Sequence, residues 1–329
     1  MAEATIRDVA RRADVSVASV SRTLNAPATV RPDTRQRVLK AVAELRYVPH
    51  AGARSLSMRS SHAIGVVLPD LHGEFFSELV RGMDREASAL GYQLLLSTMH
   101  DEAGLAGQAL RAMRGRVDGM VVMAPQLQPG ALEAMLPPLP AVLVNCVGES
   151  PRPTMRIDNA SGAAAVVAHF VEQGRKHIVH VAGPAANLDA RERAAAYRAT
   201  LAKLAPGIEP VVIEGDFLEQ SGIDAVERLA AEGVRFDALF AANDMMALGA
   251  IGALRERGIA VPTHVAVAGF DDIPLARYLG LTTVAVRMDA LGARAIARLA
   301  AQLRGEDEAP ELELIRPELV VRGSSEVTK

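Results

Sequence analysis

"TIRDVARRADVSVASVSRTLN", residues 5–25, decides how the chain begins to fold. Thr5 precedes Ile6, Val9, Ala10 and Ala13 at helical spacing, and Ser16 precedes Val17, Val20 and Leu24 in the same way. Each hydroxyl residue is therefore placed to cap a short amphipathic helix. Only Asp14 and Val15 separate the two, so the helices must cross steeply, with Ala10 and Ala13 small enough to let them approach; this is the helix-turn-helix arrangement. Asp14 is expected in the left-handed conformation of that turn, a place where Gly is easier and Asp is tolerated. Beyond Pro32, Val38, Val42 and Leu45 predict a third helix that closes a small core over Val9, Val15 and Val20.

With Val20 and Leu24 turned inward, Val17, Ala18, Ser21 and Arg22 face out. Short side chains plus one fork-shaped donor suit a helix lying in a DNA major groove: Arg22 matches a guanine edge, and Val17 and Ala18 match thymine methyls. Ser16, Ser19, Ser21 and Thr23 are candidates for phosphate bonds, and Thr5 and Asn25, at the outer ends of the pair, complete the candidate DNA-contacting set. The plainer alternative is a solvated face, on which the serines would only weaken the helix.

Charge supports the DNA reading. Residues 1–60 hold 11 Lys and Arg against 5 Asp and Glu, a balance of +6, whereas the remainder holds 25 against 34, a balance of -9. A basic head on an acidic body is the electrostatic footprint of a nucleic-acid-binding segment joined to a domain with another task. One Cys in 329 residues excludes a disulfide framework and a Cys-based metal site, which points to a reducing cytosol. The first residues, "MAEATIRDVARRADVS", are charged, and no run reaches the roughly 18 apolar residues of a membrane span, so a cytoplasmic, nucleoid-associated protein without a membrane partner is expected.

The body alternates apolar runs, "AIGVVLP", "YQLLLST", "DGMVVMA", "PAVLVNC", "HIVHVAG", "PVVIEGD", "DALFAAN" and "HVAVAGF", with helical stretches such as Phe75 to Leu90 and Asn243 to Arg257. That rhythm predicts parallel sheets covered by helices, and a change near Asp158 suggests two similar lobes. Ligands of open α/β sheets sit beyond the carboxyl ends of the strands. Those ends carry Phe75 and Phe76, Arg193, Phe217, Asn243 and Asp271. Rings, a guanidinium, an amide and a carboxylate around one cleft suit a sugar or nucleoside, whose hydroxyls both donate and accept. Asp244 and Asp272, at helix starts, are expected to be caps, and Phe75 and Phe76 could equally be core.

Enzyme chemistry finds no footing. "VAGPAANLDARER" lacks phosphate-loop spacing, His177 and His180 point to opposite faces of a strand, and no Ser-His or Cys-His arrangement is legible. No cofactor and no metal is expected.

The head, the segment "VRPDTRQRVLKAVAELRYVPHAGARSL", the run "IGVVLPDLHGEFFSELVRGMD", and then "FAANDMMALGAIGAL", "VPTHVAVAGFDDIPLARY" and "RPELVVRGSS" resemble the LacI/GalR family of bacterial transcription repressors over nearly the whole chain. The resemblance implies a helix-turn-helix headpiece at 1–48, a hinge at 49–60 and a two-lobed, periplasmic-binding-protein-like α/β body at 61–329. It places lobe 1 at about 61–157 and 287–317 and lobe 2 at about 158–286 and 318–329, with crossings near Ile157, Val286 and Pro317. It makes Leu56 a wedge for the minor groove at the operator centre, preceded by Ala53 and Arg54. Gly52 and His50 depart from the usual hinge, so hinge folding is expected to lean more on the operator.

By the same resemblance Arg193 contacts the effector, Asn243 and Asp271 are polar ligand positions, and Phe217 stacks on the ligand. Gly73 stands where many sugar-binding relatives carry Asn, Val286 where a polar residue is frequent, and the loop "ARYLGLTTV" is about two residues short. The implied function is a repressor of a near-palindromic double-stranded DNA operator, modulated by a small molecule in the cleft. A sugar or sugar derivative is favoured over a purine or other metabolite, and a solute-binding protein without a DNA role is a distant third. The chain ends soon after "RPELVVRGSSEVTK" with no further leucine-heptad helix, so a homodimer is expected.

Overall fold

The computed structural model describes residues 4–25, 27–47, 60–71, 73–99, 103–148, 150–306 and 312–326. Two compact units emerge, residues 1–62 and 63–329.

In the first unit, α1 (Ile6–Ala13) and α2 (Val17–Asn25) are joined through Asp14, which adopts φ 53° and ψ 54°, the left-handed turn expected of it. A short 3₁₀ turn (Pro27–Thr29) leads to α3 (Pro32–Leu45), whose first residue is the proline. Val9, Ala10, Ala13, Val20, Val38 and Ala41 are buried together, with Val15, Leu24, Val42 and Leu45 packed around them. Tyr47 joins this core, a contribution the helical pattern did not reveal because it lies beyond the last turn. Arg37 of α3 donates to the carbonyls of Ala13 (3.2 Å) and Asp14 (3.4 Å), bracing the turn from a third element.

The second unit holds two parallel sheets. The first is built from β1 (Ala63–Leu68), β2 (Gln93–Thr98), β3 (Gly119–Met123), β4 (Ala141–Val144), β5 (Thr154–Ile157) and β11 (Leu312–Ile315), in the order β11-β5-β4-β3-β1-β2. The second contains β6 (Ile178–Ala182), β7 (Val211–Glu214), β8 (Ala238–Ala241) and β9 (Ala266–Ala268), in the order β7-β6-β8-β9. An antiparallel pair, β10 (Thr283–Ala285) and β12 (Glu318–Val320), is bridged to the second sheet through Ala268 and Thr282. Each of the eight apolar runs forms a strand. The four strands that the pattern missed, "TMRI", "TVA", "LELI" and "ELV", are three or four residues long, and the last two carry exposed positions.

Helices α4 (Glu74–Ala89), α5 (Ala103–Ala112) and α6 (Pro129–Met135) connect the first sheet. After Ile157 the chain enters α7 (Asn159–Glu172) and the second sheet, whose connections are α8 (Leu188–Leu204), α9 (Glu219–Ala231), α10 (Asp244–Glu256) and the short α11 (Pro274–Tyr278). It returns at Val286 into α12 (Met288–Arg304), which packs on α4 and the first sheet, runs through β11, and leaves again at Arg316 and Pro317 for β12. Close helix pairing uses glycine in both lobes. A Cβ on Gly82 of α4 would collide with the Asp289 carbonyl oxygen, and one on Gly222 of α9 would collide with that of Met246. One apolar cluster runs from Ile64 and Val121 in the first lobe, through Val284, Val286 and Met288, to Phe240 and Phe270 in the second. No described helix is long and apolar enough to cross a membrane.

Candidate functional site

Ser16 caps α2, the helix with the outward polar face: its Oγ accepts from Ser19 N (3.1 Å) and shares a hydrogen bond with Ser19 Oγ (2.9 Å). Thr5 caps α1 in a reciprocal box, accepting from Asp8 N (3.4 Å) while its own N–H and hydroxyl donate to Asp8 Oδ2 (3.0 and 2.6 Å). Those bonds hold the Asp8 carboxyl below its ordinary value. Ser16, Val17, Ala18 and Arg22 are exposed, with Val17 open to 41 %, a large fraction for a valine on a packed helix. Arg22 lies along its own helix, Nε donating to Ala18 O (3.3 Å). Ser19 and Ser21 are half-buried, and Asn25 closes the helix. Thr23 does not face out: it is buried and donates to Ser19 O (2.8 Å), so its expected phosphate contact is corrected. One turn of α2 separates Thr23 from Ser19, which puts its hydroxyl within reach of that carbonyl and away from solvent. Ala53, Arg54 and Leu56 of the hinge lie outside the described residues.

The second assembly sits at the carboxyl ends of the strands of lobe 2. Arg193 of α8 is buried, with its guanidinium carbon 3.7 Å from the Phe270 ring centroid. Its Nη1 donates to Ala242 O (2.5 Å) and lies 3.7 Å from Asp271 Oδ1, and its Nε donates to Asn159 Oδ1 (2.8 Å). The next residue after Ala242 is Asn243, whose Oδ1 caps α10 by accepting from Met246 N (3.0 Å) while its Nδ2 donates to Phe217 O (2.8 Å). That bond fixes Phe217, which holds a left-handed backbone (φ 71°) and lays its ring edge on Gly183; a Cβ there would collide with the ring. Arg193 is thus joined to Asp271 by an ion pair and, through Ala242 and the next residue Asn243, to Phe217 by hydrogen bonds.

Asp271 is also strained, at φ 115°, and held by backbone bonds to Val284 and Val286 of the crossing strand. Its Oδ1 is buried without a hydrogen-bond partner. Burial pushes its carboxyl up to about 7, with Arg193 opposing and the Asp189 charge adding. Asp271 and Phe75 line one cavity of about 150 Å³, together with Asp272, Ile273, Arg277 and Met288. Phe76 joins only through Phe75, edge to face at 5.0 Å.

Two further expectations are corrected. Asp244 and Asp272 are not caps. Asp244 is fully buried, accepts from Ile273 N (2.9 Å) and Thr283 Oγ1 (2.5 Å), and so ties the Asp271 loop to α10; burial and the Asp271 charge raise its carboxyl well above the ordinary value. Asp272 instead pairs with Arg322 (2.7 Å). His180 is a core residue stacked between Phe240 (4.6 Å) and Tyr197 (5.2 Å), its Nδ1–H donating to Phe240 O (2.9 Å), and burial lowers it to about 3. Gly73 begins α4 at φ 87°, a backbone that accounts for glycine there.

Sequence reasoning missed Asn145, Arg156, Asn159, Asp189 and Glu192, which surround Arg193. The available signal was in α8, where "LDARER" sets Asp189 and Arg193 four residues apart on the buried stripe continued by Tyr197 and Leu201. Charges on the inward face blur the amphipathic pattern.

Residues 5–50 match the model of bacterial regulatory proteins of the lacI family, and residues 167–325 match that of a periplasmic binding protein-like domain. The chain is 33 % identical over 309 residues to catabolite control protein A of Priestia megaterium, covering 92 % of this chain and 93 % of the relative. It is 32 % identical over 329 residues to the ribose operon repressor of Escherichia coli (strain K12), covering 98 % and 100 %. A crystal structure of the lac repressor dimer bound to operator and the anti-inducer ONPF superimposes with a TM-score of 0.89 at 30 % identity, covering 98 % of this chain and 99 % of the other. The chain belongs to the lacI family of bacterial regulatory proteins. Members of the lacI family are DNA-binding regulators modulated by small-molecule effectors, not enzymes. The headpiece and two-lobed body found here are the lacI-family fold.

Proposed function

We propose that this lacI-family chain is a cytoplasmic, nucleoid-associated homodimeric repressor whose operator affinity is set by a sugar or sugar derivative bound between the lobes. Asp271 and Phe75 line its cavity, with Arg193 held against Asp271 and Phe76 against Phe75, and Asn243 and Phe217 complete the site beyond that lining. On DNA, Val17, Ala18 and Arg22 read bases; Thr5, Ser16, Ser19, Ser21 and Asn25 fix the register; and Leu56, with Ala53 and Arg54, serves the operator centre. The supporting observation is Asp271, which lines a small cavity and whose buried Oδ1 faces Arg193 at 3.7 Å without a hydrogen bond. An acceptor in that state calls for a donor from a ligand, and a hydroxyl supplies one. A volume of about 150 Å³ favours a small polyol, being below the roughly 300–1,000 Å³ of pockets for larger ligands. Likeness to a ribose operon repressor points the same way.

Thermal unfolding against sugars, sugar phosphates, nucleobases and organic acids tests this. A ligand at a hundred times its Kd adds about 2.7 kcal/mol to native stability. The expected result is a sugar hit that Asp271→Ala abolishes while binding to an in vitro selected operator persists. Arg22→Ala should show the converse, losing about 1–3 kcal/mol of specific DNA affinity with the ligand shift intact. A nucleobase hit would replace the effector class, and a hit indifferent to Asp271→Ala would move the site.

A further inference from the structure

We infer that Asn159 is a positioning residue that ties Arg193 to the opposite lobe through Glu192 and Arg156, so that occupancy of the effector site is felt across the cleft. The inference rests on the reading that Arg193 and Asp271 face the effector. Asn159 is the first residue of α7, two residues past the end of β5, where the chain first passes from one lobe to the other, and it is 1 % exposed. Its Oδ1 accepts from Arg193 Nε (2.8 Å). Its Nδ2 donates to Asp189 Oδ1 (2.7 Å) and Glu192 Oε2 (3.0 Å).

The lobe 1 end of the relay is equally definite. Glu192 Oε1 pairs with Arg156 Nη2, and Arg156 lies within β5 of the first sheet. Asp189 Oδ2 accepts from Asn145 Nδ2 (3.4 Å) at the end of β4, and Leu188 N donates to Pro125 O (3.0 Å) beyond β3. Arg193 is therefore gripped on one side by Ala242, Asp271 and the Phe270 ring, and on the other by a chain of polar groups ending in lobe 1. Only a primary amide serves the middle position, because it must accept from a guanidinium and donate to two carboxylates at once. A ligand that moves Arg193 changes the hold on Asn159, and with it the Glu192–Arg156 pair that spans the lobes.

The test needs no effector, so its outcome is separate from that of the ligand panel. Asn159→Asp keeps the acceptor toward Arg193 but replaces the donor with an oxygen facing Asp189 and Glu192. Arg156→Ala removes a half-buried partner whose loss the fold should tolerate. Hydrogen exchange of the full-length, ligand-free protein is followed in segments 124–127 and 186–190, which share the Leu188–Pro125 bond, and in 219–256 as a reference within lobe 2. Exchange in the first two segments should accelerate at least tenfold in Asn159→Asp and about threefold in Arg156→Ala. The double variant should add nothing to Asn159→Asp, and 219–256 should hold steady. Unchanged exchange at the lobe contact, additive effects, or equal acceleration in 219–256 would overturn the relay.

Discussion

The two lobes have the same wiring and different chemistry. Four strands of the first sheet, β2-β1-β3-β4, repeat the order β7-β6-β8-β9 of the second, with β5 and β11 added at one edge, and each lobe uses a buried glycine to seat one helix on another. Yet the strand ends of lobe 2 carry Arg193, Asn243, Asp244 and Asp271, each but Asp271 bonded to loop backbone and Arg193 paired with Asp271, while the first helix of lobe 1 presents Phe75 and Phe76. In the proposed site recognition is thus divided: one lobe would supply directional groups held rigid by burial, and the other shape. A repeated scaffold leaves its loops free to diverge in this way, since burial within the sheets fixes the strands but not the segments beyond their ends.

The strongest challenge to that division is Arg193→Ala. Removing it strands Asp271, Asn159 Oδ1 and Ala242 O in a buried site, and breaking a buried pair from one side costs about 3–5 kcal/mol. Urea unfolding should show that loss together with loss of any ligand-induced shift. Phe75→Leu offers the lobe 1 counterpart, for which only a weakened ligand shift is expected; equal stability losses in the two variants would erase the contrast.

A matched pair of glycine substitutions sharpens the part the lobes share. Gly82→Ala and Gly222→Ala each force a Cβ against a backbone carbonyl, and each should cost about 1–3 kcal/mol. Similar losses by denaturant titration would fit one packing device used twice, whereas a tolerated substitution in either lobe would show that its helices can slide apart.

The last effect is a pH dependence set by two buried groups of lobe 2. Asp271 is raised to about 7 from an ordinary value of 3.8, so between those pH values the folded protein holds a proton that the unfolded chain has lost. Folded-state stability therefore falls as pH rises through that window. His180, lowered to about 3 from 6.5, acts oppositely: the unfolded chain binds its proton first, and stability falls as pH drops below about 6.5. Asp271→Asn should remove the first slope and leave the second. The two slopes oppose each other between about pH 4 and 6.5, so Asp271→Asn should show a melting temperature that rises with pH there more steeply than the parent's; a profile no steeper than the parent's would assign the opposing slope to Asp244 or Asp189 instead.

Legibility in the sequence depended on which interactions are periodic. The helix-turn-helix could be read because Ile6, Val9 and Ala13, and then Val17, Val20 and Leu24, recur at helical spacing on either side of a single tight turn, and the strands because "AIGVVL" and "GMVVM" are buried on both faces. Arg193, Asn243, Asp271 and Phe217 could be placed at strand ends, but not joined to one another, because Ala242 O and Phe217 O, the backbone acceptors linking them, carry no residue-type signal. Asn159 was invisible for a related reason: the strand before it is the four-residue "TMRI", and an amide at a helix start looks like a cap. Thr23 shows the opposite limit, since a hydroxyl on a polar-looking helix face turned back to bond Ser19 O.

The position of β11 and β12 has a consequence for synthesis. The head has its own core within the first 62 residues, whereas β11 completes the edge of the first sheet beside β5, and β12 pairs with β10, only when residues 312–320 have been made. At about 5–20 residues per second, the ribosome delivers the DNA-reading unit roughly 10–50 seconds before the sensor can close. A nascent or prematurely terminated chain would therefore carry a folded head while the sheet edge and strand pair completed by β11 and β12 are still open.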